Sequence, residues 1–140
     1  MRTFLTFLGT AIAFTGIGWS TPAQAIPCRA YTVDAPDEPY QYREINNCPI
    51  LNGTFTNSNW KVEIGQWEPA AYYYKGRNLS NGSSIELIDF DVTGTTDRPQ
   101  YRFYNGNVTY IVSFRDSDQN TIRLEVYQKE RRILNQLLYR

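Results

Sequence analysis

A chain of 140 residues with 14 basic and 14 acidic side chains offers no electrostatic case for nucleic acid or for an anionic membrane surface. It has no histidine, which removes imidazole general-base catalysis, Ser-His-Asp and Cys-His triads, and ordinary zinc sites. Its two cysteines, Cys28 and Cys48, are too far apart in sequence for a redox-active Cys-x-x-Cys pair.

Residues 1–25 read as a secretory signal peptide. Arg2 gives a short positive start, Phe4 to Trp19 carries no charge, and Ala23-Gln24-Ala25 is a small-x-small cleavage signal. An uncleaved membrane anchor is the rival reading, but the uncharged stretch is near the lower length limit for a bilayer span and is diluted by Thr and Gly. Export would expose both cysteines to an oxidising compartment, so a Cys28–Cys48 disulfide is expected. Closing that loop of about 20 residues should stabilise the fold by roughly 3 kcal/mol. Residues 26–140 then form a single β domain with one core.

From Ile26 to Ile50 the chain is broken by Pro27, Pro36, Pro39 and Pro49, and Asp34 to Pro39 is an acidic loop by composition. Arg29–Val33 and Tyr40–Ile45 are expected to form short edge strands pinned by the disulfide. After the Asn52-Gly53 turn signal, Trp60, Val62 and Ile64 alternate with Lys61 and Glu63, which predicts a strand with one buried face. Trp67 falls on the opposite parity from Trp60, so a bulge is expected near Gly65. Ala70–Lys75 is the next strand. Ser84–Val92 follows with a phase change: Ile85 and Leu87 share one face, whereas Ile88, Phe90 and Val92 take the other. A bulge near Leu87, or cover on both faces, would reconcile them.

Gln100–Gln128 carries the strongest pattern. Asn105-Gly106 between two alternating runs is a hairpin signal. A turn there pairs Tyr104 with Asn107, Phe103 with Val108 and Tyr101 with Tyr110. Tyr101, Phe103, Val108, Tyr110, Val112 and Phe114 then share the buried face. Ile122, Leu124 and Val126 continue it after Asp116 to Asn120, with a loop of three or five residues placing Phe114 and Ile122 on one face. In Lys129–Arg140, Ile133, Leu134, Leu137 and Leu138 have helical spacing, but the strands before them and the open edge they would cover favour a final strand. The expected fold is all-β: a small antiparallel meander forming a β-sandwich or barrel of about seven to eight strands, with one disulfide.

Only carboxylate, tyrosine and arginine chemistry remains available. Asp89 and Asp91 project from one strand face, at a spacing compatible with a carboxylate-only glycoside hydrolase; a polar outer face explains them as well. Asp116, Asp118 and Asn120 open like a calcium loop, but Thr121 and Tyr127 stand where the EF-hand pattern needs Gly and Glu. No motif implies a cofactor or a metal. The enriched class is aromatic, with all eleven tyrosines beyond residue 25. Because neighbours alternate on a strand, either Tyr73 or the pair Tyr72 and Tyr74 must face outward. The expected binding face combines Trp67, Tyr72, Tyr74, Lys75 and Arg77, an aromatic platform with flanking cations. The protein is therefore expected to be a secreted or periplasmic, non-enzymatic binding module for an envelope glycan or a protein partner. No nucleic acid is expected, nor an integral membrane segment after signal cleavage. A barrel-type carrier of a small apolar ligand is the alternative.

Overall fold

The computed structural model describes residues 24–34, 42–68 and 71–140. Residues 1–23 of the expected leader and 35–39 of the expected acidic loop lie outside the described residues. Eleven strands and no helix occur among the described residues. β1 (Ala30–Asp34) and β2 (Tyr42–Asn46) form a two-stranded antiparallel sheet. The other nine are β3 (Gly53–Thr56), β4 (Trp60–Glu68), β5 (Ala71–Asn78), β6 (Ser84–Leu87), β7 (Phe90–Thr95), β8 (Arg98–Asn105), β9 (Val108–Arg115), β10 (Asp118–Gln128) and β11 (Arg131–Tyr139). They form one antiparallel sheet in the order β6-β5-β4-β3-β11-β10-β9-β8-β7. Every neighbour in that order is adjacent in sequence except β3 and β11, the first and last strands.

The sheet closes through its two edges. Only Ile88 and Asp89 separate β6 from β7, and the Tyr104 N–H donates to the Asp89 carbonyl at 3.0 Å. One continuous segment thus gives its first half to β5 and its second half to β8. The result is an up-and-down barrel of eight staves. The phase change within residues 84–92 marks this handover: Leu87 and Val92 are both buried, and Ile88 is left 64% exposed between them. The strand count exceeds the expected seven or eight, and two of the added strands, β3 with Phe55 alone as an apolar residue and the second half of residues 84–92, had no separate signature in the sequence.

The meander keeps its expected faces with a different register. Asn105 pairs with Val108, Phe103 with Tyr110, and Tyr101 with Val112. The turn is therefore Gly106-Asn107, with Gly106 at φ 59° in the first central position, as in a type II′ hairpin. Pairing has moved by two residues, so side-chain parity is unchanged. Phe114 pairs with Ile122 as expected, but the loop is a two-residue Asp116-Ser117 turn and not three or five residues, and an irregularity between Asp118 and Ile122 restores the common face. Residues 131–139 are strand, and the turn before them places Lys129 at φ 56°.

One end of the barrel is plugged. The Cys28–Cys48 disulfide forms, with its Cα atoms 5.4 Å apart. Cys28 N–H donates to the Gly94 carbonyl and Thr96 N–H to the Ile26 carbonyl, which lays residues 26–28 beside the end of β7. Leu51 is fully buried and belongs to the same core cluster as both cysteines. Two phenols from the interior meet it: Tyr101 donates to the Pro49 carbonyl at 2.7 Å, and Asn46 Nδ2 donates to the Tyr72 hydroxyl at 3.0 Å. The two hydroxyls share a 3.2 Å hydrogen bond. Both phenol tips at this end therefore have partners, as burial demands.

The β3–β11 seam is short, with Thr56 opposite Tyr139 its one paired position. Asn57 reinforces it. Its Nδ2 donates to the Leu137 carbonyl at 3.0 Å, while its Oδ1 accepts from the N–H groups of Asn59 and Trp60. Asn57→Ala should cost about 2 kcal/mol, since with the 3.3 Å bond from Nδ2 to Gln136 Oε1 it removes four bonds of roughly 0.5–1 kcal/mol each, some regained from water. Chemical denaturation checks this; an unchanged midpoint would show that the side chain does not hold the seam.

Candidate functional site

The opposite end carries the turns β3–β4, β5–β6, β8–β9 and β10–β11, and no segment crosses it among the described residues. Here the inward face opens as a pocket of about 490 Å³. Trp60, Ile85, Val108, Val126 and Leu134 form its apolar wall, with Tyr74 and Tyr110 deeper. Asn78, Ser83, Ser84 and Gln128 supply the polar residues of its lining. Gly76 shapes the space below them: a Cβ there would fall 2.5 Å from the Tyr74 hydroxyl and 2.7 Å from its ring. Its missing side chain lets the Tyr74 ring lie along β5.

The pocket contains no charged residue among those that line it. Tyr74 and Tyr110 stand with ring centroids 5.3 Å apart. Burial pushes the Tyr74 phenol well above its ordinary value, and the neighbouring Tyr110 adds to the effect. Burial raises Tyr110 as well. Both rings are therefore neutral phenols in ordinary buffers, with protons to donate.

The residues expected to form one binding face are divided by the barrel wall. Tyr72 and Tyr74 are 0% and 1% exposed, so the pair does not face outward; Tyr73 does. The reason is cross-strand. Tyr73 lies opposite Gly65, its ring fills the space that a side chain would take there, and its hydroxyl donates to Glu63 at 3.0 Å. Lys75 Nζ sits 5.1 Å from the Tyr73 ring centroid and 3.9 Å from Glu63, engaged within the outer wall. Arg77 is exposed opposite Lys61, and Trp67 is 63% exposed at the β4 irregularity, which falls between Gln66 and Glu68. Of the expected set, Tyr74 alone lines the pocket. Trp60, Ile85, Val108, Tyr110 and Leu134 were legible as apolar strand positions, but nothing in their spacing distinguished a pocket wall from core.

The acidic candidates hold local structure. Asp89 is exposed at the β6–β7 handover, and Asp91 Oδ1 accepts from the Val92 N–H at 2.8 Å. Asp118 accepts from the Asn120 N–H, and Asp116 from Gln119 Nε2. No group of three potential metal ligands occurs among the described residues. No protein-family model matches the chain, and no curated protein or solved structure matches it.

Proposed function

We propose that the protein is a secreted or periplasmic, non-enzymatic binding module that holds a small, neutral, mainly apolar ligand in the open end of its barrel. One observation carries this reading: the 490 Å³ mouth, walled by apolar and aromatic side chains and free of charge. Its size falls within the range of roughly 300–1,000 Å³ typical of ligand pockets. An eight-stave barrel is also just wide enough to hold one small ligand. The disulfide is compatible with an extracellular or periplasmic setting, and no helix among the described residues is long and apolar enough to cross a membrane. The glycan-platform alternative is weakened by the division of its aromatics, which leaves Trp67 outside without Tyr72 and Tyr74.

The test is titration with N-phenyl-1-naphthylamine, a neutral apolar fluorophore. Saturable enhancement with quenching of Trp60 emission is expected. Ile133→Asp places a charge at a half-exposed lining position and should weaken binding at least about tenfold, because an ion beside an apolar ligand must be desolvated. Trp67→Ala should leave binding unchanged. Saturable retention on insoluble cell-wall glycan that depends on Trp67 would instead favour the outer face.

A further inference from the structure

We infer that the ligand carries a hydrogen-bond acceptor, a carbonyl oxygen on a flat apolar body, which the Tyr74 hydroxyl engages at the base of the mouth. This rests on the reading of the mouth as a ligand site and specifies its chemistry. The argument begins with a contrast between the two ends. At the plugged end, Tyr72 and Tyr101 are satisfied by each other, by Asn46 and by the Pro49 carbonyl. At the open end, Tyr74 is just as buried, yet its hydroxyl makes no hydrogen bond with any described residue. Nor is it sealed off: no buried side-chain oxygen or nitrogen among the described residues lacks a partner, so this one reaches the space of the pocket. A buried phenol normally finds a partner, and here the partner must come from the pocket.

The character of that partner follows from the donors. A phenol gives its proton readily and accepts poorly, because its lone pair is drawn into the ring. Tyr110, also lining the pocket and without a hydrogen bond to described residues, adds a second donor beside the first. A carbonyl oxygen has two lone pairs and can take both. A carboxylate or an ammonium group fits badly, since no lining residue carries a compensating charge. The flat body is set by the aromatic pair: with no side chain at Gly76 the Tyr74 ring lies along β5, 5.3 Å from Tyr110 between centroids.

The experiment compares two neutral probes of similar shape, 2-acetylnaphthalene and 2-ethylnaphthalene, on the wild-type protein and on Tyr74→Phe. Phenylalanine keeps the ring and removes only the hydroxyl. The expected result is a loss of about five- to tenfold for the acetyl probe, the worth of one neutral hydrogen bond, with the ethyl probe unchanged within about twofold. Because each probe is its own reference across the substitution, their different solubilities cancel. Equal affinity changes for both probes would overturn the hydroxyl's role while leaving the mouth as a binding site. Failure of both probes to bind the wild type would overturn the inference together with the reading beneath it, and binding of the ethyl probe alone would overturn the inference only. Preserved far-ultraviolet circular dichroism of Tyr74→Phe confirms that the variant compared is folded.

Discussion

Replacing Val112 by Asp should leave the domain unfolded at room temperature. Val112 is 0% exposed on β9, between Tyr101 of β8 and Leu124 of β10. The substitution forfeits roughly 1.5–3 kcal/mol of apolar burial. It also asks a carboxylate to leave water with no cation on the inner face and with the phenol of neighbouring Tyr101 already engaged by Pro49, a further cost of several kcal/mol even if the group takes up a proton. Domains of this size hold about 5–15 kcal/mol in total. Val112→Thr keeps the shape and adds a hydroxyl that must find a partner, so it should fold with stability lower by about 1–3 kcal/mol. Circular dichroism and thermal melting distinguish the two variants. A cooperative melt of Val112→Asp near the wild-type temperature would put Val112 outside, and with it the whole alternation of β9.

That prediction needs only parity, and parity is what the sequence displayed well. Tyr101, Phe103, Val112 and Phe114 alternate without interruption, so their common face was legible even though the hairpin register was displaced by two residues. Barrel closure was hidden for a different reason. It depends on a seam of one paired position, on the Asn57 side chain, and on a segment that changes partners at Ile88 and Asp89, none of which leaves a periodic trace. The asymmetry of the ends was equally hidden. Prolines and cysteines announced that residues 26–50 would be irregular and tethered, but not that Pro49 would receive the Tyr101 hydroxyl. Once one end is plugged, the four turns at the other leave apolar positions such as Trp60, Val108 and Leu134 without a lid. The candidate site is therefore a product of topology, whereas the residues that line it are ordinary strand residues in sequence.

The triplet Tyr72-Tyr73-Tyr74 shows where alternation stops being informative, and it supplies the second large effect. Alternation separates Tyr73 from its neighbours without saying which class is inside. Gly65 decides it, because the residue opposite Tyr73 is the one β4 position with room on the outer face for a ring. Tyr72→Ala should thus cost roughly 3–5 kcal/mol, the range for deleting a buried aromatic side chain. It removes a ring whose centroid lies 4.4 Å from that of Tyr101 and 5.3 Å from that of Phe90, and it takes away the partner of Asn46 Nδ2. Adding Tyr74→Ala widens the same cavity along β5, since Tyr74 packs 5.5 Å from Phe103. The double variant should be largely unfolded. Tyr73→Ala removes a part-buried hydrogen bond on the outer wall and a surface cation–π contact, and should cost about 1 kcal/mol. Equilibrium denaturation of the three variants gives the ordering directly. If Tyr73→Ala proved the most damaging, the ring over Gly65 would be the buried one, the inner face of β5 would be reversed, and the mouth of the barrel would lose its phenol.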